Sequence, residues 1–169
     1  MTLHVNTFKD YERTLRKFGA TKQLPAPGTY VYSPPFDINR LNRFHMAFKY
    51  TKGIGSGCTV LTIKPVYKNV LDNYNGDDWY VGLIEHPDVS SPSLVVMEEV
   101  WNVDVSGVAA GSSYRFSMLF YPKIRWNYCM MGGTRDINGG GPDYIEWHRG
   151  GNSGEPDPWD GGDIYKVDP

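Results

Sequence analysis

The run Ser112–Met131, SSYRFSMLFYPKIRWNYCMM, decides how the chain is read. Tyr114, Phe116, Met118 and Phe120 occupy alternate positions, and so do Ile124, Trp126, Tyr128 and Met130. A period of two is the signature of a strand with one face buried. Only Pro122 and Lys123 stand between Tyr121 and Ile124, so the two runs predict a β-hairpin. Proline fixes φ near −65°, whereas the favoured two-residue turns need positive φ. The connecting loop is therefore expected to be longer than two residues.

Outward from this pair, the same period recurs. In Arg43–Tyr50, Phe44, Met46, Phe48 and Tyr50 share one face, and Arg43, His45, Ala47 and Lys49 share the other. Thr29–Tyr32, Cys58–Lys64, Trp79–Ile84, Leu94–Val105 and Tyr144–Trp147 complete a set of short strands. Among 169 residues, 19 Gly and 12 Pro cut the chain into short elements and argue against a helical bundle. The expected fold is all-β: an antiparallel β-sandwich, jelly-roll-like, in a single domain over residues 25–149.

Both ends read differently. Phe8, Tyr11, Leu15 and Phe18 recur at spacings of three and four, which predicts a helix of about 12 residues, capped by Thr7 and stopped by Gly19, within an N-terminal arm over residues 1–24. A short helix must dock its aromatic stripe on its own sheet or on a neighbouring subunit. Residues 150–169, GGNSGEPDPWDGGDIYKVDP, form an extended tail without periodicity. Trp159, Ile164, Tyr165 and Val167 are unusual choices for a solvated tail, so it is expected to bind along a groove of its own domain or of a neighbour.

Candidate chemistry concentrates in Asp136–Trp147, DINGGGPDYIEW. As an EF-hand loop it has Asp136, Asn138 and Gly141 in place, but Gly140 stands where an oxygen ligand is needed and Trp147 where the glutamate belongs. As a phosphate cradle it lacks the helix that should follow, and Pro142 removes a donor. The same test disposes of Lys52–Val60, KGIGSGCTV. Both runs read as loops leading into strands, with a weak oxygen site at Asp136, Asn138 and Asp143 left open. No metal or cofactor is expected: Cys58 and Cys129 read as buried apolar residues, and His4, His45, His86 and His148 stand singly. Glu85 with His86, or Glu146 with His148, could form an acid/base pair only if the fold aimed them together. Glu98 and Glu99, being neighbours on one strand, face opposite sides.

A formal charge of −2 supplies no field to attract nucleic acid or an anionic membrane. No run of about 18 apolar residues is present, and the N-terminus lacks a secretory pattern, so cytoplasmic synthesis is expected. Trp101, with Val103 and Val105, and Trp126, with Ile124 and Tyr128, look like core. Tyr74 and Trp79 are the better candidates for a glycan-stacking platform.

The run Trp101–Thr134, WNVDVSGVAAGSSYRFSMLFYPKIRWNYCMMGGT, with the later GGGPDYIEW, resembles the small β-sandwich virion structural proteins of tailed bacteriophages, chiefly capsid decoration or cement proteins. A strand ending in a Gly/Ala-rich turn, the Tyr114-Arg115-Phe116 opening and a Gly-Pro-Asp turn carry the likeness. It does not extend to the N-terminal arm or the tail. It implies a non-enzymatic protein of the virion, made in a host cytoplasm, that binds the major capsid protein and copies of itself, as a homo-oligomer. Phe8, Tyr11, Leu15, Phe18, Trp159, Ile164 and Tyr165 are the expected capsid contacts. A carbohydrate-binding module using Tyr74 and Trp79, and a tail-associated virion protein, are the alternatives.

Overall fold

A computed structural model describes residues 16–69, 79–87, 94–137 and 140–149. Strands β1 (Arg16–Gln23), β2 (Val31–Tyr32), β3 (Phe36–Asp37), β4 (Phe44–Thr51), β5 (Val60–Lys68) and β6 (Tyr80–Val81) come first. They are followed by β7 (Leu83–Pro87), β8 (Leu94–Glu98), β9 (Trp101–Asp104), β10 (Ser113–Phe120), β11 (Tyr128–Arg135) and β12 (Tyr144–Arg149). One sheet has the order β1-β12-β4-β10. The second runs β2-β11-β5-β6, with β3 also on β11 and β9 also on β5, while β7 and β8 form a separate two-stranded ribbon. Every pairing is antiparallel.

The pairings are nested. β1 pairs with β12, β2 with β11, β4 with β10, and β5 with β9, so the outer strands of the chain meet each other and the inner ones close last-to-first. Pairing of β12 with β4 and of β11 with β5 joins these ribbons side by side into the two sheets.

Alternation explains why the sheets share one core. Phe44, Met46, Phe48 and Tyr50 of β4 are fully buried, as are Phe116, Ile145 and Trp147 of the flanking strands. They meet Leu61, Ile63, Tyr67, Val103, Cys129 and Met131 of the second sheet in one cluster. Cross-strand partners Phe48 and Phe116 stack at 5.0 Å, and Phe36 of β3 reaches across to Phe44 at 5.9 Å. Burying each such large side chain contributes roughly 1.5–3 kcal/mol, enough collectively to hold two sheets that no disulfide links.

Three expectations are corrected. First, Tyr114–Tyr121 and Ile124–Met131 do not form a hairpin. β10 pairs with β4 in one sheet, and β11 pairs with β2, β3 and β5 in the other. Residues 121–127 carry the chain between sheets, held by Asn127 N donating to Lys68 O (3.1 Å) and Ile38 N donating to Asn127 O (2.9 Å). The crossing resets the alternation: Ile124 and Tyr128 are exposed, and Cys129 and Met131 point inward instead.

Second, Arg16–Phe18 are strand, not the end of a helix. Phe18 lies opposite Trp147 and packs edge-on against Phe36 at 5.5 Å, and Gly19 turns with φ 71° where the register shifts between Phe18 and Lys22. The open edge of β12 outweighs a local three-and-four spacing, because pairing and burial override propensity. The domain therefore begins no later than Arg16, not at residue 25, and Phe8, Tyr11 and Leu15 lie outside the described residues. Third, Leu94–Val105 breaks at Glu99 and Val100 into β8, which pairs with β7, and β9, which pairs with β5.

Candidate functional site

The glycine loop is a structural clasp. Asp143 is fully buried and accepts from Arg135 Nη1 (2.8 Å), Gly53 N (2.9 Å) and Ser56 Oγ (2.9 Å). Arg135 also donates to the carbonyls of Gly141 and Pro25, both at 3.3 Å. The clasp brings two glycine-bearing backbones into direct contact. A Cβ on Gly141 would lie 1.9 Å from Ile54 O, and one on Gly53 would lie 2.1 Å from Pro142 O. Glycine stands at both positions because any side chain would separate the loops.

Asp136 is similarly occupied, accepting from Thr59 N (3.0 Å), Thr59 Oγ1 (2.6 Å) and Val60 N (3.1 Å). Burial alone would raise its pKa, but these donors outweigh that and hold it below the usual value. Two of the three suggested oxygen ligands thus spend their lone pairs on protein donors, and Asn138 lies outside the described residues. Among the described residues no cluster of three His, Cys, Asp or Glu is placed to hold a metal.

The remaining candidates separate in space. Cys58 and Cys129 are buried thiols, and burial pushes both pKa values up. Glu146 and His148, two apart on β12, lie 3.4 Å from each other, with Lys17 and Lys49 each 3.7 Å from Glu146. This is a charge lattice on the outer face of a sheet. Glu98 and Glu99 do face opposite ways: Glu98 pairs with Lys64 at 3.2 Å near the surface, and Glu99 is buried. His4, Tyr74, Trp159, Ile164 and Tyr165 lie outside the described residues, as do the side chains of Glu85 and His86. Trp79 is half-buried with Lys68 Nζ 5.4 Å from its ring centre, and Phe18 is spent on its own core.

A groove of about 430 Å³ lies between the β6–β7 segment and the 121–127 crossing. Trp126 stacks against Tyr67 (5.8 Å) and Tyr80 (5.5 Å) to make one wall, and Val81, Leu83 and Ile124 make an apolar rim. Gly82 leaves room at the floor: a Cβ there would lie 2.9 Å from the Tyr67 ring and 3.2 Å from Glu99 Cβ. Glu99 N donates to Gly82 O at 2.7 Å, which ties the main chain at Glu99 to the β6–β7 segment, and Glu99 contributes to the groove's lining.

Glu99 is only 3% exposed, and among the described residues its Oε2 meets no partner in hydrogen-bond geometry. Burial pushes its pKa up to about 7; the Trp101 indole N–H opposes the shift without meeting hydrogen-bond geometry. A second hollow of about 480 Å³, lined by Ile84, Trp101 and Tyr121, shares Glu99 and Lys123 with the first. Tyr80, Val81, Leu83, Tyr121 and Ile124 are all at least 43% exposed and gather apolar surface around the groove. The site suits an apolar or aromatic group that carries one cation or donor. Sequence patterning shows Trp126 as core but not the groove, because its walls come from four separate segments.

No protein-family model matches the chain, and neither does the sequence of any curated protein.

Proposed function

We propose that the chain is a non-enzymatic virion structural protein, a capsid decoration or cement protein, built as a jelly-roll β-sandwich. The supporting observation is the nested pairing of eight strands across two sheets, first with last through to fourth with fifth. That nesting supports the jelly-roll reading, an architecture that recurs in viral capsid and lectin domains. The described carboxylates of the glycine loop are engaged in holding loops together, and the exposed apolar surface lies beside a groove, which suits contact with other proteins. On this reading the partners are the major capsid protein and further copies of the chain, and the chain reaches the virion from the host cytoplasm.

Mass spectrometry of purified particles tests the proposal, together with the stability of particles that lack the gene. The chain should be present at stoichiometric copy number and its loss should leave particles fragile. Absence from every particle preparation would sink the idea. The alternative, a glycan-binding module, draws on the same architecture and on Trp79. Glycan-array binding that disappears on Trp79→Ala would favour it.

A further inference from the structure

We propose that the groove walled by Tyr67, Tyr80 and Trp126 is a binding site for a small uncharged aromatic molecule that carries one oxygen substituent, and that the Tyr67 hydroxyl recognises this oxygen.

Shape sets the size and flatness of the ligand. Clefts that hold small molecules run from roughly 300 to 1,000 Å³, with mostly apolar walls and a few polar groups inside. The groove has a volume of about 430 Å³, and its whole lining lies among the described residues. Tyr80 stacks on Trp126 at 5.5 Å and remains exposed, while Val81, Leu83 and Ile124 keep the rim apolar. Such walls suit a flat ring, because aromatic faces stack on one another and gain by leaving water. Position 82 keeps the floor open. A Cβ there would stand 2.9 Å from Tyr67 Cε2 and 3.4 Å from Glu99 Oε2, so the edge of the tyrosine ring and the carboxyl converge on one point.

The polar group at that point selects the chemistry. Tyr67 is only 1% exposed, and its hydroxyl meets no hydrogen-bond partner among the described residues. A buried hydroxyl without a partner is destabilising, so one that is retained calls for a partner from outside the fold. Glu99 makes no such demand, since the Trp101 indole N–H already stands at it, and Lys123, also on the lining, already has a partner. An oxygen on the entering ring accepts from the Tyr67 O–H, or donates to it when it is itself a hydroxyl. A carboxylate would be brought against Glu99, and any full charge would lose its hydration between these walls. Tyr67 also sits below the rim. Its hydroxyl is reached by a ring that enters the groove, not by a surface laid across it, which favours a free small molecule over a folded partner.

The test titrates the full chain with 2-naphthol, naphthalene and 2-naphthoate at pH 7 and follows amide chemical shifts. 2-Naphthol should half-saturate the chain on the order of 100 µM, within what a probe of this size allows, and should shift residues 67, 80–83, 99 and 122–126. 2-Naphthoate should bind more weakly. Tyr67→Phe should weaken 2-naphthol about fivefold, the size of one neutral hydrogen bond, and leave naphthalene unchanged. The same variant should melt no lower than the natural chain, because the lost hydroxyl holds no protein partner. No saturation by 2-naphthol, shifts elsewhere, tighter binding of 2-naphthoate, or a lower melting temperature for Tyr67→Phe would each overturn the proposal. So would a Tyr67→Phe chain that binds 2-naphthol as the natural chain does, which would leave the hydroxyl to an ordered water only.

Discussion

Replacing Asp143 by alanine tests whether the clasp between the glycine loops holds the domain together. The substitution removes the acceptor of three donors at a fully buried position. It also leaves the Arg135 guanidinium, whose side chain is 8% exposed, without its counter-ion. Breaking a buried pair by removing one partner costs about 3–5 kcal/mol. Arg135 keeps two carbonyl contacts at 3.3 Å, so the lower end, about 3 kcal/mol, is expected. In a domain of this size that corresponds to a fall in melting temperature of about 6–12 °C. Calorimetry at pH 7, paired with urea denaturation to give the free energy directly, measures it. Asp143→Asn keeps the shape and one acceptor, so it should fall between wild type and alanine. A loss under about 1 kcal/mol for Asp143→Ala, or an asparagine variant as damaged as the alanine one, would refute the idea that orphaned donors and charge set the penalty.

Other outcomes follow from single contacts. Gly141→Ala drives a Cβ into Ile54 O and should destabilise the domain by about 3 kcal/mol or more, while Gly28→Ala, with φ 84° and open space, should cost only about 1–2 kcal/mol; urea melts of the two variants separate clash from backbone strain. Trp126→Ala should cost about 3–5 kcal/mol by the same measure, since the ring is 9% exposed and stacked on two tyrosines. Glu99 predicts a pH dependence. Its folded pKa of about 7 lies above the unfolded value of 4.5, so the native state binds more protons between these limits and stability falls as pH rises through them. The fall should approach about 3 kcal/mol, and Glu99→Gln should remove that slope from the thermal-melt profile.

Legibility in the sequence followed the range of each interaction. Strands β4, β10 and β12 were readable because alternation in Phe44–Tyr50, Tyr114–Phe120 and Tyr144–Trp147 reports a buried face, and a buried face is a local property. Which strand lies alongside is not local. Tyr114–Tyr121 and Ile124–Met131 look like a hairpin because they are adjacent and alternate, yet each finds its partner in a different sheet. β1 was hidden for the same reason: nothing near Arg16 reveals that β12 offers it an edge. The role of Asp143 was equally invisible, since Gly53 is 90 residues away and Ser56 is 87 away. That Glu98 and Glu99 face opposite ways was readable from their adjacency, but adjacency does not disclose which of them is buried or a groove assembled from distant segments.

The nested pairing carries a consequence for the order of synthesis. β4 acquires its neighbours only when β10 and then β12 appear, and the last of these is complete roughly a hundred residues after β4 has emerged; at typical elongation rates that interval is about 5–20 s. Throughout it, the chain carries a strand bearing Phe44, Met46, Phe48 and Tyr50 whose sheet does not yet exist. A newborn chain therefore exposes this apolar face until β12 leaves the ribosome, the interval in which contact between nascent copies competes with folding.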